Sequence, residues 1–190
     1  MGPPITVVTS NENKFKEIQE MTPNIRLVRK DFDLTEIQDT LEEIVKYKCA
    51  QAAYLVNGPV LVEDTGLEFN ALNCLPGPYV KHFVKEIGSQ GLYDLLEKYE
   101  DKSAKAVCYL AFTEGPNKII HCFKGVAEGT IVEPRGISTF DWDNIFVPKD
   151  YDQTFSEMGN LKNEISHRRK SVNVFSRFIV DQIIKSLDKK

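Results

Sequence analysis

From Val60 to Tyr79 the chain reads VLVEDTGLEFNALNCLPGPY, and no other stretch restricts the fold as much. Val60, Leu61 and Val62 are apolar and rich in β-branched residues, the composition of a buried strand. That run gives way to Glu63 and Asp64, then Thr65 and Gly66. Two adjacent acids at the end of a buried strand are costly unless a divalent metal or a polar network compensates them. Side chains alternate along a strand, so Glu63 and Asp64 are expected on opposite faces, only one of them directed at a site. Pro76-Gly77-Pro78 then stiffens a turn, because proline restricts φ and glycine enters conformations other residues resist. An acidic strand end, a polar turn and a rigid loop together predict a functional site.

The flanking segments predict an α/β protein. Residues 5–9 and 25–28 read as strands, and 13–21 as a helix with Phe15, Ile18 and Met21 on one face. Thr40 followed by Glu43 forms a capping box, after which Leu41, Ile44, Val45, Lys48, Cys49, Ala52 and Leu55 recur at helical spacing. Lys48 places a cation on that apolar stripe, which predicts snorkelling or pairing. Short helices are expected after Pro78 and over 91–99. Residues 104–113 and 118–127 make a hairpin around the turn at 114–117, and 129–132 adds a short strand. The chain closes on an amphipathic helix bearing Val172, Phe175, Phe178 and Ile179. The expected architecture is a single domain over residues 1–190, with a mixed central sheet flanked by helices. An α/β lobe built early and a β-rich lobe built late would leave a deep substrate cleft.

Composition narrows the function classes. A hydrophobic share of 42% and a charged share of 27% are ordinary for a globular chain, and the length allows a substantial core. The net charge of −4 argues against a broad nucleic-acid surface. Cys49, Cys74, Cys108 and Cys122 form no CxxC pair and no metal-ligand spacing with the histidines, which predicts reduced thiols in a cytoplasmic protein. The opening MGPPITVVTS is too short and too weakly apolar for a signal peptide, Pro3 and Pro4 disfavour myristoylation of Gly2, and no run reaches membrane length. Neither a membrane nor a stable nucleic-acid partner is expected.

Three polar stretches remain. Thr9-Ser10-Asn11-Glu12-Asn13-Lys14 joins a strand to a helix, offering backbone N–H groups and a positive dipole end to a phosphate. The spacing alone favours a capped helix with a solvated lysine. Phe140-Asp141-Trp142-Asp143 holds the chain's only tryptophan; its aromatics suit a planar base, with Asp143 at the base's edge, or the core. His167-Arg168-Arg169-Lys170 puts cations at a helix start, a mildly unfavourable place that hints at a use.

The stretch VEDTGLEFNALNCLPGPYVKHF closely resembles the signature of the inosine triphosphate pyrophosphatase family, whose members hydrolyse non-standard purine nucleoside triphosphates. The likeness continues in order through TSNENK (9–14), DKSAKA (101–106), PRG (134–136), FDWDNIF (140–146) and SHR (166–168), and covers nearly the whole chain. It implies that the 9–14 loop, with Lys14, contacts the triphosphate, and that Lys48, Thr65 and Lys81 bind substrate. Glu36 and Asp64 become ligands of Mg²⁺, with Mn²⁺ as a possible substitute, and Asp64 is also the base for the attacking water. The base-recognising residues become Phe140, Asp141, Trp142, Asp143, Lys162, Ser166, His167 and Arg168. Glu63 receives only a supporting role. The resemblance further implies a homodimer. Three positions depart from the pattern: Ser10 and Asp141 stand where glycine is usual, and Asn144 where proline is.

The chemistry these roles imply is water attack on the α-phosphorus, with pyrophosphate leaving and a monophosphate remaining. Arg168 and Lys162 offer only donors, which satisfy a 6-oxo group and leave adenine's 6-amino group facing unpaired donors. Two alternatives stay open. One is a related pyrophosphatase for modified pyrimidine nucleotides, against which the FDWD and SHR blocks argue. The other is a catalytically silent purine-nucleotide-binding protein, against which intact Lys14, Glu36, Lys48 and Asp64 argue.

Overall fold

The computed structural model describes residues 3–137, 140 and 142–188. All four residues of Ile5–Val8 (β1) are buried. Such a strand needs cover on both faces, and parallel neighbours provide the frame for it. β1 pairs in parallel with Leu27–Lys30 (β2), from Ile5 opposite Leu27 to Val8 opposite Lys30. On its other side it pairs in parallel with Val60–Phe69 (β3), Val7 opposite Leu61. The second strand starts two residues later than the sequence suggests, because the Ile25 N–H closes a turn onto the Thr22 carbonyl.

Helix Glu12–Met21 (α1) begins one residue earlier than expected, since the Asn11 side chain caps it by accepting the Lys14 N–H at 3.0 Å. Helix Leu41–Val56 (α2) is capped by Thr40, whose hydroxyl accepts the Glu43 N–H at 3.3 Å. The reciprocal half of the expected capping box is replaced: Asp39 takes the Thr40 N–H at 2.7 Å, and Glu43 pairs with Lys46 at 2.8 Å. Leu55, expected on the inner stripe, is exposed, and Ala53 is buried instead.

β3 does not stop at its acids. It runs on to Phe69 because its second half pairs antiparallel with Pro76–Gly77 (β4), Leu67 opposite Gly77. Val80–Asp94 (α3) joins the helix expected after Pro78 to the first four residues of the one expected over 91–99, with a kink at Gly88 (φ 67°, ψ −179°). Ser103–Thr113 (β5) is followed by His121–Ile131 (β6), one long strand where the sequence suggests two. Gly129 sits within β6 because Phe146–Pro148 (β7) runs against it; a Cβ there would lie 2.3 Å from the Val147 carbonyl oxygen. Lys162–Ile165 (α4) and His167–Leu187 (α5) complete the chain. The strands hydrogen-bond in the order β2-β1-β3-β5-β6-β7, with β4 on β3, so the sheet is mixed as expected.

The chain forms two compact units, and neither is built early or late. One takes in the residues up to Asp64, Cys108–Gly125 and those from Arg168 on; the other is Thr65–Val107 and Val126–His167. β3, β5 and β6 each pass from one unit to the other, so the expected early and late lobes are interleaved.

In the first unit the two-residue period of each strand sorts side chains onto two faces. Val7, Leu61, Leu110 and Phe112 pack with Ile18 of α1 and Val172 and Phe175 of α5. Val8, Val60, Val62 and Ala111 pack with Val45, Cys49 and Ala52 of α2. Each fully buried side chain of the size of Leu61 or Phe175 contributes about 1.5–3 kcal/mol. Burial pushes the Cys49 thiol up to about 12, with the neighbouring Cys122 adding to it, so it packs as an inert apolar group. The second unit has one core, in which Leu67, Phe69, Leu92, Ile131, Trp142, Ile145, Phe146 and Phe155 meet.

Candidate active site

The alternation of β3 decides where its acids go. Glu63 follows the parity of Leu61 and turns to the α1/α5 face; Asp64 follows Val60 and Val62 and turns to the α2 face. On the α2 face, Lys48 lies one residue before the buried Cys49 and is only 14% exposed at its side chain. Its Nζ stands 3.1 Å from Glu36 Oε1 and 3.2 Å from Asp64 Oδ2. Burial works against its charge, but Asp64 and Glu36 outweigh that and hold its pKa above the ordinary value. Lys48 therefore pairs rather than snorkels.

Two carboxylates from distant segments thus gather on one cation. Both are hard oxygen donors, and the ammonium between them shows that the place favours positive charge. Among the described residues no group of three or more His, Cys, Asp or Glu could enclose a metal. A donor set of two carboxylates fits a divalent ion that takes its remaining ligands from water and phosphate.

The α1/α5 face carries a second cluster. Arg168 is 3% exposed at its side chain; its Nε donates to Glu63 Oε1 at 2.8 Å and its Nη1 to Glu17 Oε2. Lys14 Nζ lies 3.3 Å from Glu63 Oε2, an ion-pair contact without hydrogen-bond geometry. Cys108 Sγ donates to Glu63 Oε1 at 3.4 Å. Burial pushes the Glu63 carboxyl up, but the Arg168 and Lys14 cations outweigh it and bring the pKa down to about 2. Burial likewise opposes the Arg168 charge, and Glu63 with Glu17 overcomes it to hold the pKa above its ordinary value.

The 9–14 loop, which carries Lys14 into this cluster, is braced by two side chains. The Asn11 N–H donates to Thr9 Oγ1 at 3.1 Å, and Arg29 donates to the Thr9 carbonyl at 3.2 Å. Ser10 and Asn13 are exposed. Glu12 pairs with Lys16 at 2.8 Å, and its side chain is exposed. Its side chain is committed to an i,i+4 pair on the solvent face of α1.

A third cluster lies in the second unit. Lys162 Nζ donates to Asp143 Oδ2 at 2.5 Å, and both residues are buried. The same ammonium lies 4.1 Å from the Phe140 ring centroid. Trp142, 4% exposed, is part of the core and meets Phe146 edge-on and His167 at 5.5 Å. His167 stacks on Phe155 at 5.9 Å. Ser166 is buried, and its N–H closes α4 on the Lys162 carbonyl at 3.0 Å. Thr65 is half-buried in β3 and Lys81 is exposed in the first turn of α3. Asp141 lies outside the described residues.

A sequence profile of the Ham1 family matches residues 5–178. The chain belongs to the Ham1 family. Relatives named inosine triphosphate pyrophosphatase include one from Scheffersomyces stipitis, 45% identical over 191 residues, covering 94% of this chain and 98% of its own. Another, from Neurospora crassa, is 49% identical over 171 residues, 88% of each chain. The solved structure of a HAM1 protein from Coxiella burnetii superposes with a TM-score of 0.82 at 28% identity, covering 93% of this chain and 99% of that one.

In this Ham1-family chain the structure brings together Glu36, Lys48 and Asp64; Lys14 with Glu63 and Arg168; and Phe140, Asp143 and Lys162. Reading the sequence missed Glu17, which clamps Arg168, and Cys108, which reaches Glu63. Glu17 lies three residues beyond Lys14, so the two share a helix face, and that spacing was the only available sign. Cys108 carried no sign at all, since its partner is brought to it by sheet pairing.

Proposed function

We propose that this chain hydrolyses non-standard purine nucleoside triphosphates, those of inosine, deoxyinosine and xanthosine, to monophosphate and pyrophosphate. The observation that carries the reading is the gathering of Glu36 and Asp64 on Lys48, in a chain 45% identical to a relative bearing the pyrophosphatase name. Glu36 and Asp64 are the residues that would hold Mg²⁺, or Mn²⁺ in its place, which when bound neutralises the triphosphate and polarises its oxygens. Lys48 and Lys14 bring two further positive charges to the phosphates, and each is oriented by a carboxylate, Asp64 or Glu63. Asp64 accepts the proton of the water that attacks the α-phosphorus. The β–γ pyrophosphate leaves with the bridging oxygen.

Base selection follows from hydrogen-bond chemistry. The Asp143–Lys162 pair sets an acceptor beside a donor. A 6-oxo purine offers the complement, the O6 acceptor next to the N1–H donor, whereas adenine offers the reverse. Buried groups left unpaired by the wrong base can cost about 10⁴-fold in kcat/KM. Guanine shares the 6-oxo edge, so its rejection rests on the 2-position.

The four free thiols suit a reducing, cytoplasmic setting, and no helix among the described residues is long and apolar enough to cross a membrane. We expect a homodimer, which light scattering after gel filtration checks. The deciding experiment incubates the purified protein with Mg²⁺ and, separately, inosine, xanthosine, adenosine and guanosine triphosphates. Pyrophosphate from the first two and little from the others is the expected result. Orthophosphate would place the cleavage at a different bond, and no product from any of them would leave a nucleotide-binding protein.

A further inference from the structure

Asn144 takes no part in the chemistry above, yet its side chain makes a long-range contact that its neighbours do not explain. It follows Asp143 in the short turn Asp143–Ile145. Its Nδ2 donates to Ser89 Oγ at 3.1 Å, joining segments 55 residues apart. Its Oδ1 is buried and accepts no hydrogen bond. Turning the amide over would exchange donor for acceptor toward Ser89 and leave the other atom equally buried, so the link to Ser89 holds in either orientation. A half-satisfied buried amide is a cost that an apolar residue at this position would avoid.

Ser89 is placed where that link has leverage. It directly follows Gly88, whose φ of 67° and ψ of −179° break α3. The segment before the kink carries Lys81 in its first turn; the segment after it is anchored by Leu92, fully buried in the core of the second unit. Asn144 therefore ties the Asp143 turn to the start of the anchored segment. The backbone of the turn is held separately: the Arg135 N–H donates to the Asn144 carbonyl at 2.8 Å, and the Val132 N–H to the Ile145 carbonyl at 2.9 Å. Those bonds fix the outer edge of the turn, and the Ser89 bond fixes its approach to α3. Asp143, one residue away, holds the buried Lys162.

We propose that Asn144 is a positioning residue: bonded to Ser89 at the α3 kink, it sets where the Asp143–Lys162 pair meets the purine, and so tunes substrate affinity rather than turnover. The proposal rests on the base-reading role given to that pair above. It places an affinity-setting contact in α3, outside the groups that touch substrate.

The test is a double-mutant cycle on the full chain with Asn144→Ala, Ser89→Ala and the double variant. KM and kcat for inosine triphosphate are measured with Mg²⁺, and the Kd of inosine monophosphate by calorimetry. Each single substitution is expected to raise KM and Kd about three- to tenfold, the scale of one neutral hydrogen bond, with kcat unchanged. The double variant is expected to be no worse than either single one, because both remove the same bond. Ser89→Thr, which keeps the hydroxyl, should restore wild-type KM. If Asn144→Ala does not fold, Ser89→Ala decides, since it deletes the bond from a partly exposed residue. Wild-type KM in the single variants, effects that multiply in the double, or a loss confined to kcat would each overturn the proposal. A wild-type protein that releases no pyrophosphate would instead overturn the function on which it rests.

Discussion

Replacing Glu63 by Gln removes one negative charge from a buried ionic cluster without changing side-chain size. Arg168 Nε at 2.8 Å and Lys14 Nζ at 3.3 Å then face a neutral amide in place of an anion. The fall of the Glu63 pKa from 4.5 to about 2 is worth roughly 3 kcal/mol at ~1.4 kcal/mol per pH unit. Breaking a buried pair by removing one member independently suggests about 3–5 kcal/mol. Because the folded pKa is depressed, this stability is fully present above 4.5 and is lost as pH falls through about 2. The assay is urea unfolding with a chelator present, followed by circular dichroism and by the emission of Trp142. Glu63→Gln should be less stable than wild type by roughly 3 kcal/mol at pH 7, and the gap should close between pH 4.5 and about 2. A gap under about 1 kcal/mol at pH 7, the size of an exposed ion pair, or one indifferent to pH, would refute the account of Glu63 as the hub of the cluster.

Asp64→Asn should abolish pyrophosphate release while leaving the circular dichroism spectrum intact; an active variant would remove Asp64 from the mechanism. Lys162→Met leaves the buried Asp143 carboxylate without its 2.5 Å partner. It should cost about 3–5 kcal/mol in urea unfolding and lower the inosine-over-adenosine preference in kcat/KM by at least about tenfold. Gly129→Ala drives a Cβ to 2.3 Å from the Val147 carbonyl oxygen and 2.6 Å from the Phe146 ring. It should lower stability by about 1–3 kcal/mol through displacement of β7, and a wild-type unfolding midpoint would show that β7 yields freely.

The helices and central strands were legible because their signals are local. The three-and-four spacing of α2, its Thr40 cap and the alternation that sends Glu63 and Asp64 to opposite faces all act within a few residues. Errors arose where pairing with a distant strand overrode local preference. β3 continues past its acids because β4 pairs with it, and β6 passes through Gly129 because β7 needs the room. Residue type favoured the core for Trp142 and the family resemblance favoured stacking on a base; its burial beside Ile145 and Phe146 places it in the core.

For the candidate site the division runs along the same line. Residue type and order gave the acids at 63 and 64, the cation at Lys48, the polar loop at 9–14 and the basic run from His167 to Lys170, since charge and spacing are written in the chain itself. Which acid meets which cation was settled by the tertiary structure alone. Glu17, Glu63, Cys108 and Arg168 become one cluster, and Asn144 reaches Ser89, only because sheet pairing and helix packing bring together segments that no local interaction connects. An ion pair or hydrogen bond depends on a few ångströms of separation, and over such sequence distances only the folded core sets that separation.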